Sequence, residues 1–345
     1  MKPLALGLCA AALGLVSGCA TAPRSPHGPM AAPGAAGPRA PGTAVTRDLW
    51  INLVRAGESS ADDVLAELAA ADVVYVGEMH TNARHHALQL ELLQQLFLRK
   101  VPLVLCLEQL EARDQPAIDR YNRRELDFDA LAREIDWAKK WRNFPDYRAL
   151  CEFARAHGIP VRALNAPAAT IRAVSRGGGL AKLAPDLRAD LPPDIVFDDP
   201  AYERLVTREL AIHMALDPEK LRPVYEAQVA RDEAMAAQVV AARRIDPPAG
   251  RLRTALVVTG AGHMRHGLGV PDRVRRREPG VVDRLVLATE GDPRVVSAEE
   301  KAQTRAITLT HAELRATGRP PADFLRVLAP AAGPVLPPGH PPLPR

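Results

Sequence analysis

Two stretches of the chain carry side chains able to do chemistry, and both have the form Gly-x-x-His. The first is Gly77-Glu78-Met79-His80 and the second is Gly260-Ala261-Gly262-His263. A carboxylate and an imidazole held within hydrogen-bond reach can serve as general acid and base. Two imidazoles with two carboxylates also form the donor set of a divalent transition metal, zinc or, with more oxygen ligands, manganese. Glu78, His80, Glu108 and His263 are therefore candidate catalytic residues, and Glu78, His80 and His263 are candidate metal ligands. A four-residue pattern with two fixed positions is common by chance. Its weight comes from appearing twice, each time directly after a run that reads as a buried strand.

Those runs are Val73–Val76 and Thr254–Thr259, apolar and rich in β-branched residues. Asn82 then reads as a helix N-cap, with Leu88, Leu92 and Leu96 at helical spacing after it. Val101–Leu107 is a further strand, ended by Glu108-Gln109, and Ile159–Leu164 is another, ended by Asn165. Strands alternate with helices predicted over 60–70, 147–157, 202–216 and 222–242. That order specifies an α/β fold: a mostly parallel central sheet flanked by helices, with a helical insertion over 115–143. Strands are also expected over 49–54, 281–289 and 323–328. Residues 172–200, broken by Gly177-Gly178-Gly179 and several prolines, read as a loop or lid. In a parallel sheet the strand ends share one edge, the edge where ligands bind. Gln228, Asp232 and Met235 form one stripe of a helix, and Asp232 is expected to point at that edge. His85 shares a helix face with Gln89 and either joins the site or stays on that face. His266 reads as solvated.

The 345 residues are 47% apolar and 25% charged with a formal charge of +4, the composition of a globular protein. The excess charge is spread along the chain and aromatic residues make up 4%, so nucleic-acid binding is not expected. There is no nucleophile elbow, P-loop or dinucleotide fingerprint. Lys2 and the apolar run Leu4–Val16 lead into Leu15-Val16-Ser17-Gly18-Cys19, which resembles a bacterial lipobox. This predicts a signal peptide over 1–18 and an acylated (palmitate-type) Cys19 holding the chain to membrane lipid. Ala20 after the cysteine resembles the outer-membrane pattern. A flexible Pro/Ala/Gly tether over 19–45, a folded domain over 46–328 and a disordered Pro-rich tail over 329–345 complete the expected layout. Cys106 and Cys151 are expected to be buried thiols.

An ordered set of motifs resembles the ChaN-like haem-binding lipoproteins. It comprises Gly77-Glu78-Met79-His80 with His85-His86-x-x-Gln89, Glu108-Gln109-Leu110-Glu111, and Tyr147 before a helix ending at Gly158-Ile159-Pro160. Ala227-Gln228 with Asp232, then Gly260-Ala261-Gly262-His263 with Gly267-x-Gly269-Val270-Pro271, follow in order. The resemblance implies haem as cofactor, a role in iron uptake at the outer membrane, a haem receptor there as partner, and a site shared by two subunits of a homodimer. It also places the chain near a wider group, the Tiki and erythromycin-esterase-like proteins, in which paired Gly-x-x-His motifs build a hydrolytic or metal site. Ala261 stands where that family usually has Asn. Ferric haem held for transport suits a tyrosinate ligand. The pattern favours Tyr147 among Tyr75, Tyr121, Tyr147, Tyr202 and Tyr225, with Trp141 beside the porphyrin. Arg148 and Arg142 would face the propionates. On this reading haem and the strand-end cluster occupy separate sites, with metal-dependent hydrolysis at the second as the rival function.

Overall fold

The structure, a computed structural model, describes residues 47–214, 218–290 and 318–329. The expected signal peptide, acylated Cys19, tether and the tail from 330 lie outside the described residues.

The strands are β1 (Leu49–Asn52), β2 (Gly57–Ser59), β3 (Val73–Glu78), β4 (Leu103–Glu111), β5 (Val161–Asn165), β6 (Thr254–Gly260), β7 (Asp283–Glu290) and β8 (Phe324–Leu328). They form one sheet in the order β2-β1-β8-β7-β3-β6-β4-β5. From β8 to β5 all neighbours run parallel, while β1 pairs antiparallel with β8 and with β2. The sheet has two apolar faces because its strands alternate between them. Val74, Val76, Leu105, Leu107, Leu256 and Val258 point into one core, and Val73, Tyr75, Val104, Cys106, Ala255 and Val257 point into the other.

The first face is covered by α1 (Ala61–Ala69), α2 (Ala83–Leu98) and the insertion between β4 and β5. That insertion holds α3 (Gln115–Asn122), α4 (Phe128–Glu134), α5 (Trp137–Lys140) and α6 (Arg148–Ala156). Ser60 and Asn82 cap α1 and α2 as expected, their side chains accepting from Asp63 N and Arg84 N. After β5 come α7 (Ala168–Gly177), α8 (Pro185–Arg188), α9 (Pro200–Met214) and α10 (Pro218–Arg243), and α11 (Val270–Arg277) precedes β7. Met235, Ala236 and Val239 of α10 with Val270 and Val274 of α11 close the second face. Among the described residues no helix is long and apolar enough to cross a membrane.

Three expectations are corrected. β4 does not stop at Leu107; it runs on through Glu108 to Glu111 with every residue buried. β2 was unforeseen. The region expected to be loop or lid holds α7 and α8, and Ile171 and Val174 pack with Ala227, Ala230 and Ala234 of α10. The glycines there cap α7: Gly178 takes φ 90°, a left-handed conformation that ends a helix cheaply.

Candidate functional site

Glu78, the last residue of β3, points to the face covered by α2. Its carboxylate is fully buried yet receives a ring of donors. His80 Nδ1 lies at 2.8 Å, Gln109 Nε2 at 2.9 Å and Tyr147 Oη at 2.5 Å from Oε1. Gln89 Nε2 lies at 2.6 Å and His86 Nε2 at 3.4 Å from Oε2. Burial works against its charge, but the hydrogen bonds from His80 and His86 and the charge of His80 prevail, holding the carboxyl at about 2. His80 is displaced the other way: burial pulls its pKa down, and the Glu78 hydrogen bond with the charges of Glu108 and Glu78 carries it up. Trp141 meets the His80 ring edge-on at 4.9 Å, and Asn143 donates to the His80 carbonyl. His85 does not touch this carboxylate. Its Nδ1 accepts from Met79 N at 3.0 Å, so it fixes the turn that presents His80, and burial lowers its pKa.

Glu108 points to the opposite face of the sheet. Thr259 Oγ1 at 2.7 Å and Gly260 N at 2.6 Å donate to its Oε2, and His263 Nε2 is 3.4 Å from its Oε1. The other nitrogen of His263 is 2.5 Å from Asp232 Oδ1 of α10, and Tyr202 of α9 donates its hydroxyl to the same Asp232 carboxylate. The Gln228 amide lies 3.0 Å from His263 Nδ1. Burial would strip the charge from His263, but Glu108 and Asp232 on its two sides push its pKa up to about 10. Burial likewise opposes ionisation of Glu108, and the charge and hydrogen bond of His263 keep its carboxyl well below the usual range.

The halves meet at Gly260. A Cβ there would sit 2.9 Å from His80 Nε2 and 3.6 Å from Glu108 Oε2, so only glycine lets the imidazole lie against β6. At Gly77 a Cβ would sit 2.6 Å from Leu287 Cδ2 and 2.8 Å from Met264 Sδ. Both motif glycines serve close approach.

The strand ends thus bring together Glu78, His80, Glu108 and His263 as expected from their positions, with Asp232 among them. The separation of this cluster from Tyr147 and Trp141 is overturned, because Tyr147 and Trp141 contact it directly. Tyr147 was expected to present its oxygen to iron. It is fully buried, and burial, the Glu78 charge and the hydrogen bond it donates to Glu78 all favour its protonated form. Tyr75, Tyr121, Tyr202 and Tyr225 are fully buried as well. Arg148 lies off the site, paired with Asp129 and Glu152 and stacked 4.3 Å over Phe128. His266 is held to Arg319 O at 2.9 Å through Nδ1. Among the described residues no group of three or more His, Cys, Asp or Glu side chains is arranged to hold a metal ion. The zinc or manganese site expected from Glu78, His80 and His263 does not fit, since each carboxylate is already spent on donors of the protein. Gln109 enters the sequence reading only within a motif and Tyr202 only as one of five possible haem tyrosines; their places beside Glu78 and Asp232 come from the structure. The period-two alternation of β4, once extended past Leu107, is the signal that places Gln109 on the Glu78 side.

The family described as haem-binding uptake, Tiki superfamily, ChaN, matches residues 64–274. Among solved structures, ChaN of Campylobacter jejuni, which binds haem cofacially, is similar with a TM-score of 0.60 at 16% identity. The match covers 84% of this chain and 99% of that one. An erythromycin esterase, EreC, aligns at a TM-score of 0.40 and 12% identity over 70% of this chain and 77% of that one. RRSP, a toxin effector domain of Vibrio vulnificus, aligns at 0.38 and 17% over 66% and 36%. No curated protein matches the sequence.

Proposed function

The chain belongs to the ChaN family of the Tiki superfamily, described as haem-binding uptake proteins, and on that membership we propose that it binds haem and serves haem or iron uptake. The match over residues 64–274 carries this reading, because it spans both Gly-x-x-His motifs and the helices that support them. The residues present favour His80 over Tyr147 as the group offered to iron. His80 is the cluster imidazole with an open edge, its side chain 22% exposed against 2% for His263. Its Nδ1 is held by Glu78, and its Nε2 has no hydrogen-bond partner among the described residues. A carboxylate on the far nitrogen orients an imidazole and raises its basicity as a ligand. When bound, haem would supply the iron, and Trp141 would flank it. The tyrosinate ligand implied by the family resemblance would need Tyr147 to leave Glu78 and lose its proton in a buried site. A haemin titration of residues 46–345 tests the reading: a saturable Soret band is expected, and its absence would overturn it.

The lipobox supports placement at the outer membrane through acylated Cys19, with a homodimer and an outer-membrane haem receptor as the partners such a role calls for. Cys19→Ala should move the protein from the membrane to the soluble fraction; unchanged membrane association would rule out the anchor.

One observation favours a second reading, hydrolysis. His80 backed by Glu78 can act on a substrate proton, opposite a His263 whose charge is fixed by Glu108 and Asp232.

A further inference from the structure

Gln228, Arg231 and Asp232 lie within one arc of α10, at i, i+3 and i+4. Gln228 and Asp232 are both spent on His263. Arg231 is not spent. Its side chain is half-buried, its Nε is wholly buried, and among the described residues it makes no hydrogen bond or ion pair. The neighbouring acid cannot serve it: the Glu108 oxygens are occupied by Thr259, the Gly260 amide and His263. The positive charge nevertheless reaches Glu108 and helps keep it ionised.

Three other arginines, of which Arg243 is fully buried, have acid partners. Arg243 holds Asp72 and Glu278, and Arg276 and Arg277 share Glu233. A guanidinium cannot shed its proton, so burying it without an anion costs free energy that an ordinary surface position would avoid. A second unsatisfied group lies at the same edge. Asn165, the last residue of β5, gives its amide to Glu108 O at 3.1 Å, and its buried Oδ1 has no partner among the described residues.

We propose that Arg231 anchors a carboxylate of the ligand that occupies the strand-end site, with Asn165 Oδ1 accepting from an N–H or O–H of the same ligand. The planar fork of a guanidinium matches a carboxylate with two parallel hydrogen bonds. If the ligand is haem the carboxylate is a propionate, and that identification rests on the haem reading; the anchor itself does not.

The test uses the full chain, as wild type and as Arg231→Gln, titrated with haemin, with haemin dimethyl ester and with benzoate. Soret absorbance follows the first two and tryptophan fluorescence the third. Arg231→Gln should weaken haemin binding about tenfold or more and leave the ester, which has no carboxylate, unchanged. The unfolding midpoint should not fall, since among the described residues the guanidinium has no partner to lose; a merely structural arginine would lower it. Equal weakening of haemin and ester, or no weakening of either, would overturn the proposal. Should haemin fail to bind the wild type, the haem reading falls and the benzoate arm decides: a saturable change that needs Arg231 keeps the anchor, and none removes it.

Discussion

The two faces of the sheet hold the same device built twice. On one, Tyr147 donates to Glu78 and Glu78 holds His80; on the other, Tyr202 donates to Asp232 and Asp232 holds His263. The difference is a second carboxylate. Glu108 occupies the far nitrogen of His263, so that imidazole is clamped at both ends, buried and charged. Among the described residues the His80 ring has one hydrogen-bond partner, an exposed edge and no partner on Nε2. The same tyrosine–carboxylate–imidazole order therefore gives a fixed charge on one side and an available ligand or base on the other. Burial and the number of acids per imidazole, and not residue type, separate the two roles.

Removing each histidine should expose that contrast most strongly in stability. His263→Ala leaves two carboxylates buried without their shared cation, a loss of about 3–5 kcal/mol. His80→Ala removes one of several donors to Glu78, a loss of about 1–2 kcal/mol. Urea unfolding of the two variants checks the order, and equal losses would erase the distinction between the halves.

The pH dependence is a smaller effect with opposite signs on its two flanks. His263 has a folded pKa raised from 6.5 to about 10, so its contribution is complete below 6.5 and is lost as pH rises through about 10. Glu78 is depressed from 4.5 to about 2, so its contribution is complete above 4.5 and is lost as pH falls through about 2. His263→Gln should flatten the alkaline fall and, on the acid side, remove the Glu108 contribution that its charge supports while leaving that of Glu78. Unfolding free energy measured across both ranges checks this, and an unchanged alkaline limb would contradict it.

Much of this arrangement was legible in the sequence, and the losses have physical causes. β3 and β6 announce themselves as β-branched runs ending in glycine, and α1 and α2 by their caps, so the edge carrying Glu78, His80 and His263 follows from local pattern. From sequence Glu108 falls past the end of its strand, because Glu-Gln-Leu-Glu reads as a break in hydropathy. The strand continues since those side chains are satisfied inside: Glu108 by Thr259 and Gly260, Glu111 by the Ala168 amide. The sequence marks Tyr147 but not its place in the cluster, because no local pattern tells where a hydroxyl finds its acceptor 69 positions away. The Tyr202–Asp232–His263 chain is equally non-local. Gly177–Gly179 reads locally as a break, which hides α7, whereas it is the end of a packed helix.

The most direct test of the open half is a haemin titration of His80→Ala beside Tyr147→Phe, both first shown to be folded. The account predicts that the Soret band is lost or strongly shifted in His80→Ala and kept in Tyr147→Phe. A tyrosinate-type ferric spectrum that survives His80→Ala and vanishes in Tyr147→Phe would contradict it.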